Sequence, residues 1–294
     1  MKNNFEKEIL NINKDIFLKD VSLKNYNTMK LDGVSQYMIC PTSYIELKKV
    51  MKIIDKYKIN YHVIGNGSNI LFTSKEKECL IKLNFSKTKD LRVINSNELL
   101  MMKAYEFANN GYKGFEYISN IPASVGGAIL MNAGAYNHFF SDIIEYVYYL
   151  DENHNFKVIS KDECMFSYRN SFFKNNKAIV LGCKVKFIKS DSETLKNIMK
   201  ECSRKRKESQ PIDVPNSGSV FKNAINYKAW ELIDKSNLRG VRQNGALISN
   251  KHCNFIVNEN NASFSDVNYL INLVKKEVKL RFDVELEEEV IVID

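Results

Sequence analysis

Apolar residues recur along this chain with two different periods, and the elements they predict alternate irregularly. Ser43 followed by Glu46 reads as a capping box, and Leu47, Val50, Met51 and Ile54 then repeat at helical spacing. A second helix is predicted from about Asn97 to Asn110, stopped by Gly111. Ser190 with Glu193 opens a third, which ends near Gln210-Pro211. In a fourth, Val267, Leu270, Ile271, Val274 and Val278 share one face. Short extended runs, Tyr61–Ile64 and Ile70–Phe72, flank a Gly-Asn-Gly-Ser-Asn turn, and Val290–Ile293 closes the chain as a strand. After Ser141, the runs EYVYYL, NFKVI and AIVLGCKVKFI predict a meander. Helices and strands mixed without strict alternation give the class α+β. The shift in composition around Ser190–Pro215 marks the best domain border.

Composition narrows the function classes. A chain of 294 residues, 44% hydrophobic and 27% charged, can bury a sizeable core and suggests two domains. It holds no apolar run of the roughly eighteen residues that span a bilayer, and its N-terminal stretch has no signal-peptide core. The cysteines (Cys40, Cys79, Cys164, Cys183, Cys202, Cys253) are scattered without a C-x-x-C pair, and the four histidines lie far apart. This pattern predicts idle thiols in a reducing, cytoplasmic setting and no metal. A net charge of +8 fits either a nucleic-acid surface or a Lys-rich exterior that draws small anions. Its densest basic run, Arg204–Lys207, is short and no nucleic-acid motif accompanies it, so no nucleic-acid partner is expected.

Four patches carry candidate chemistry. From Ile118 to Tyr136, nine of nineteen residues are Gly, Ala or Ser, and seven of the chain's twelve glycines fall between Gly65 and Gly134. Small residues permit close approach, and N–H groups at a helix start would face whatever is bound. A tight helix–strand packing point reads equally well. The Gly65–Asn69 turn lacks the third glycine and following helix of a dinucleotide fingerprint. It can still aim successive N–H groups at a diphosphate, or be a plain hairpin turn. Arg169 lies among aromatics in Phe166–Lys174, suited to pairing a carboxylate or to covering apolar surface. Ser219 and Lys222 sit in the small-residue run Pro215–Asn223.

Taken in order, these motifs resemble the UDP-N-acetylenolpyruvoylglucosamine reductase family over nearly the whole chain. The resemblance begins at Asn27-Thr28 and runs through GNGSN, Ile121–Tyr136, YRNSFFK (168–174), SGSVFKN (217–223), AWELI at Trp230, NGALISNKHCNFIVN (244–258) and LEEEV (286–290). It implies a two-lobed FAD-binding domain of the vanillyl-alcohol-oxidase (PCMH) type and a C-terminal α+β substrate-binding domain. The expected borders are 1–29 for an N-terminal segment, 30–195 for the FAD-binding domain and 200–294 for the substrate domain. It further implies NADPH as co-substrate and reduction of UDP-N-acetylglucosamine enolpyruvate to UDP-N-acetylmuramate for peptidoglycan. FAD is expected to be non-covalent, since neither flavin-contacting motif contains His or Cys.

Carried over residue by residue, Ser219 corresponds to the proton donor, and Arg169 and Glu289 to the pair that polarises the substrate's carboxylate side. Gly65, Asn66, Gly67, Ser68 and Asn69 fall at the FAD pyrophosphate. Ile121, Pro122, Gly126, Gly127, Asn132 and Ala133 fall along the flavin. Lys222, Asn223 and His252 fall near the substrate's nucleotide or phosphates. A fixed Arg suits a developing oxyanion. A Glu beside an anionic substrate helps when protonated, a state that burial near negative charge favours. From the residues alone, Glu285 and Glu287–Glu289 read as a solvated charge run. Three departures stand out: Ala123 replaces a usual Gly, Ala224 a usual Pro, and Asp283 a frequent Gly. With fifty positions between Arg169 and Ser219, the chain resembles the shorter subtype without the Tyr loop, which leaves the basic run near Arg206 as a candidate for the diphosphate.

Overall fold

Ser43 starts the Tyr44–Tyr57 helix as its spacing predicts. Its hydroxyl accepts from the Glu46 N–H at 3.2 Å, and Leu47, Val50, Met51 and Ile54 form the buried face. The reciprocal half of the capping box does not form. Thr42 presents both its N–H and its hydroxyl to one Glu46 oxygen, each at 2.8 Å, and that pair of donors wins the carboxylate.

The computed structural model describes residues 2–294, which divide into two compact units interleaved along the chain. The first holds the N-terminal segment up to Lys19, Gln36–Asn66 and Glu78–Ser203. The second holds Asp20–Ser35, Gly67–Lys77 and Arg204–Asp294. Each unit is thus built from three separated stretches, whereas the expected borders cut consecutive blocks. Strand pairing explains the difference: Ile70–Phe72 runs parallel to Ile291–Ile293 and joins the C-terminal unit.

The first unit contains two hydrophobic cores. One packs Phe5, Ile9, Tyr37, Leu47, Met51 and Ile81 between the helices Lys2–Ile12 and Tyr44–Tyr57 and a four-stranded sheet. That sheet has the order Phe17–Ser22, Val34–Ile39, Lys77–Ile81, Tyr61–Val63. The other core gathers Phe107, Phe115, Ile129, Phe140 and Val147 under an antiparallel sheet ordered Phe156–Ser160, Ile144–Leu150, Ile179–Val185, Val93–Asn95. Its first three strands are the predicted meander. Two cores in one unit match the expected two lobes.

In the second unit, Met29, Leu71, Phe221, Ile233, Leu270, Ile271, Val274 and Val278 bury together. The helix Phe264–Phe282 supplies the last four, and a small antiparallel sheet of Arg242–Gln243, Ala246–Ile248 and Ile256–Asn258 lies against it. The helix stops at Asp283 in the left-handed region, φ 55°, a conformation Asp tolerates better than most residues. No helix among the described residues is long and apolar enough to cross a membrane.

Candidate active site

The Gly65–Asn69 loop is not a hairpin turn. Tyr61–Val63 pairs in parallel with Lys77–Ile81, and Ile70–Phe72 pairs with Ile291–Ile293, so the strands on either side enter different sheets. In the first unit, a Cβ at Gly65 would overlap the Ser124 hydroxyl. Asn66 Nδ2 donates to the Pro122 carbonyl at 2.6 Å, and Lys82 Nζ donates to the Gly65 carbonyl at 2.8 Å. These contacts bring Gly65 and Asn66 against the Ile121–Gly127 segment. Lys82, which no sequence signal marked, is partly buried, and that burial lowers its pKa.

The glycine-rich segment itself behaves differently from expectation. Ser124 caps the short helix Val125–Leu130 by accepting from Gly127 N–H at 3.2 Å. Val125 and Gly126 donate their N–H groups to the carbonyls of Glu98 and Ser96, each at 2.8 Å. The helix-start donors are therefore engaged by protein. Ser96 also explains Gly126, where a Cβ would lie 2.9 Å from Ser96 Cβ. Gly127 is the open position, since only Ser124 Oγ, at 3.4 Å, lies within 4 Å of an added Cβ. Ala123 needs no positive φ in this path, so the Gly-to-Ala departure is accommodated. Ile121 packs against the first unit's larger core and Ala133 is part of it.

Arg169 occupies the tip of a tight turn. Ser167 and Asn170 exchange main-chain hydrogen bonds at 3.1 and 3.2 Å, and Arg169 takes φ 54° between them. That is a costly conformation for a non-glycine residue, about 1–2 kcal/mol. Its guanidinium lies 5.0 Å from the centre of the Tyr168 ring, and Nη2 donates to the Gly134 carbonyl at 3.5 Å. Nearby, Asn132 (φ 41°) donates from Nδ2 to the Ser167 carbonyl at 3.1 Å and accepts at Oδ1 from Ser141 N–H at 3.2 Å.

In the second unit three motifs converge. Gly67 has φ 68°, and a Cβ there would overlap the Tyr26 carbonyl; its own carbonyl takes the Thr28 N–H at 3.0 Å. Asn69 Nδ2 donates to the Glu289 carbonyl at 3.0 Å, and Ser217 Oγ to the Ile70 carbonyl at 3.2 Å. Residues 220–222 run antiparallel to 287–289: Glu289 N–H donates to the Val220 carbonyl at 2.7 Å and Lys222 N–H to that of Glu287 at 2.8 Å. Ser219 precedes this contact and follows Gly218, whose φ is 76°. The Ser219 hydroxyl is half-buried and makes no hydrogen bond among the described residues. Buried Asn254, which sequence reasoning missed, anchors the strand by bonding the Phe221 N–H and carbonyl at 3.0 and 2.9 Å.

Glu285, Glu287 and Glu288 pair with Lys279, Lys222 and Lys275 respectively. Glu289 is half-buried, and its main chain joins both the Asn69 and the Val220 segments. Lys222 thus has its ammonium on Glu287, and Asn223 Oδ1 caps the helix Ala229–Lys235 at the Ala229 N–H, 3.0 Å. His252 stacks edge-on against Phe255 with ring centres 4.9 Å apart. Its Nδ1 is buried without a partner among the described residues. Burial, reinforced by the charge of Arg239, lowers its pKa. The cysteines are all free thiols, and burial pushes Cys79 and Cys164 up to about 12. No group among the described residues gathers three metal-ligating side chains.

The residues present suit FAD. None of the main-chain N–H groups of residues 65–69 has an acceptor among the described residues, nor has the Ser68 hydroxyl. Successive unengaged amides on a glycine-bearing loop are the donors a diphosphate requires. Gly127 adds an uncrowded face of the kind a planar ring needs.

Comparison with known proteins agrees with this chemistry. Residues 35–156 match the FAD binding domain family, and residues 210–293 match the UDP-N-acetylenolpyruvoylglucosamine reductase C-terminal domain. UDP-N-acetylenolpyruvoylglucosamine reductase of Clostridium tetani is 37% identical over 276 residues, covering 92% of this chain and 90% of that protein. The Clostridioides difficile protein of the same name is 34% identical over 289 residues, covering 96% and 95%. The crystal structure of UDP-N-acetylenolpyruvylglucosamine reductase from Thermus caldophilus superposes with a TM-score of 0.82 at 33% identity, covering 94% of this chain and 98% of that one.

Proposed function

The chain belongs to the UDP-N-acetylenolpyruvoylglucosamine reductase family, and from that premise we propose that Ser219, Arg169 and Glu289 carry its chemistry. It is an FAD-dependent oxidoreductase that reduces UDP-N-acetylglucosamine enolpyruvate to UDP-N-acetylmuramate at the expense of NADPH, in peptidoglycan precursor synthesis. Bound FAD supplies the hydride chemistry between NADPH and the vinyl carbon of the substrate. The remaining task is to stabilise and quench the carbanion left beside the substrate carboxylate.

In this reading the Ser219 hydroxyl gives the proton. The observation that carries the assignment is that this hydroxyl, fixed between left-handed Gly218 and the 220–222 strand, has no protein acceptor among the described residues. Arg169 balances the negative charge that builds on the carboxylate side as the carbon–hydride bond forms. Glu289 is the second residue of the polarising pair proposed for the carboxylate side.

For the cofactor, the amides of Gly65, Asn66, Gly67, Ser68 and Asn69 hold the pyrophosphate, while Ile121, Pro122 and Gly127 border the flavin. Gly126 serves as the packing contact to Ser96 that sets their path. Lys222, Asn223 and His252 remain candidates for the sugar nucleotide, and Lys222 must release Glu287 to serve there. The basic run near Arg206 is a candidate for the diphosphate in a chain of the shorter subtype. UDP-sugars and NADPH place the reaction in the cytoplasm, with which buried free thiols are compatible.

Anaerobic incubation of the purified yellow protein with NADPH and the enolpyruvyl sugar nucleotide tests the reading. The product should be heavier than the substrate by two hydrogens. In heavy water, the hydrogen on the carbon beside the carboxylate should come from solvent. No product, or a product without solvent hydrogen at the carbon beside the carboxylate, would refute hydride addition followed by protonation; the Ser219→Ala variant tests which group delivers that proton.

A further inference from the structure

We infer that Asn132 and Ser171 are positioning residues that hold the Arg169 turn, and with it the substrate half of the reaction. The inference rests on the role proposed for Arg169. A non-glycine residue in the left-handed region persists where its surroundings over-determine it; beside the bond from Lys174 Nζ to the Arg169 carbonyl at 3.3 Å, three contacts that do so come from one short stretch. Asn132, 5% exposed, donates from Nδ2 to the Ser167 carbonyl, the same carbonyl that closes the turn by accepting the Asn170 N–H. Ser171, 1% exposed, donates its hydroxyl to the Leu130 carbonyl at 2.8 Å on the other side of Arg169. Gly134 offers its carbonyl to the guanidinium itself. Residues 130–134 therefore grip the turn before, at and after Arg169.

The chemistry of Asn132 fits this task. Its acceptor is taken by Ser141 N–H and its donor by Ser167, and Asn is among the few residues that adopt φ 41° readily. Asp has the same shape and the same backbone tolerance but no donor, so Asn132→Asp sets an oxygen against the Ser167 carbonyl and loosens the turn alone.

The test is a double-mutant cycle read by stopped flow on the intact holoenzyme, with rates of reoxidation of the reduced enzyme at saturating enolpyruvyl substrate. Asn132→Asp should slow reoxidation about 10²-fold, the cost of a small misplacement, and Ser171→Ala about fivefold, with reduction by NADPH slowed far less in each. Added to Arg169→Ala, either change should alter the rate by less than about threefold, because the group they position is gone. Losses that multiply in the double variants, or a wild-type rate for Asn132→Asp, overturn the inference. A wild-type rate for Arg169→Ala overturns the role of Arg169, and the inference with it. Should Asn132→Asp not fold, Ser171→Ala and its double variant decide by the same criterion.

Discussion

Gly67 is held by two constraints on one atom: a left-handed backbone, φ 68°, and a Tyr26 carbonyl where a Cβ would go. The neighbour is main chain, so it cannot swing aside. Gly67→Ala should cost about 3 kcal/mol, from overpacking plus an Ala in the left-handed region, with FAD lost as the loop shifts. Thermal unfolding and bound-flavin content check this, and an unchanged Tm would contradict it. His252 gives a pH prediction. Burial keeps its folded pKa below the ordinary 6.5, so the unfolded chain takes the proton first as pH falls. Stability present above about pH 6.5 is then lost progressively as pH drops toward the lower folded value. Melting curves at about pH 7.5 and 5.5 should show this loss in the wild type and a smaller one in His252→Asn; equal losses would exclude the imidazole as the cause.

At the scale of elements, the short helix Val125–Leu130 separates packing from binding. Its two glycines are adjacent in sequence and opposite in surroundings, Gly126 against Ser96 and Gly127 open. Gly126→Ala should lower the Tm of the flavin-free protein, by an amount equivalent to about 1–3 kcal/mol. Gly127→Ala should leave that Tm nearly unchanged and weaken FAD binding instead, as flavin titration would measure. The reverse ranking would show that the open face is not the ligand side. The sequence pattern could not tell these glycines apart, because the partner that distinguishes them is Ser96, thirty residues away. The same limit hid the true partners of Tyr61–Val63 and Ile70–Phe72. Lys77–Ile81 pairs with the first and Ile291–Ile293, far along the chain, with the second, while period alone reports only that a strand exists. Local signals did better. The helices at Tyr44–Tyr57 and Phe264–Phe282 carry their own apolar stripes, and both form. One local signal was overlooked: Asn244-Gly245 joins two strands as a two-residue hairpin loop, with Asn244 at φ 45°.

At the scale of the whole molecule, the motifs legible in the chain sort into two sets. The second unit gathers Gly67, Ser68, Asn69, Ser219 and Glu289 around one strand contact. The first gathers Gly65, Asn66 and the Ile121–Gly127 segment, with the Arg169 turn on residues 130–134. Motif order identified the family, but residue roles needed the fold. Nothing in the string LEEEV singles out the main-chain contacts that Glu289 makes, and nothing in NAGAY shows that its Asn side chain turns toward Ser167. A net charge of +8 complements a substrate that carries phosphates and a carboxylate.

Anaerobic stopped flow on Ser219→Ala decides whether the Ser219 hydroxyl quenches the substrate carbanion. Reduction by NADPH involves no carbon protonation and should stay within about threefold of wild type, while reoxidation by the enolpyruvyl substrate should slow by about 10²–10⁴. Equal slowing of both half-reactions, or of neither, would contradict it.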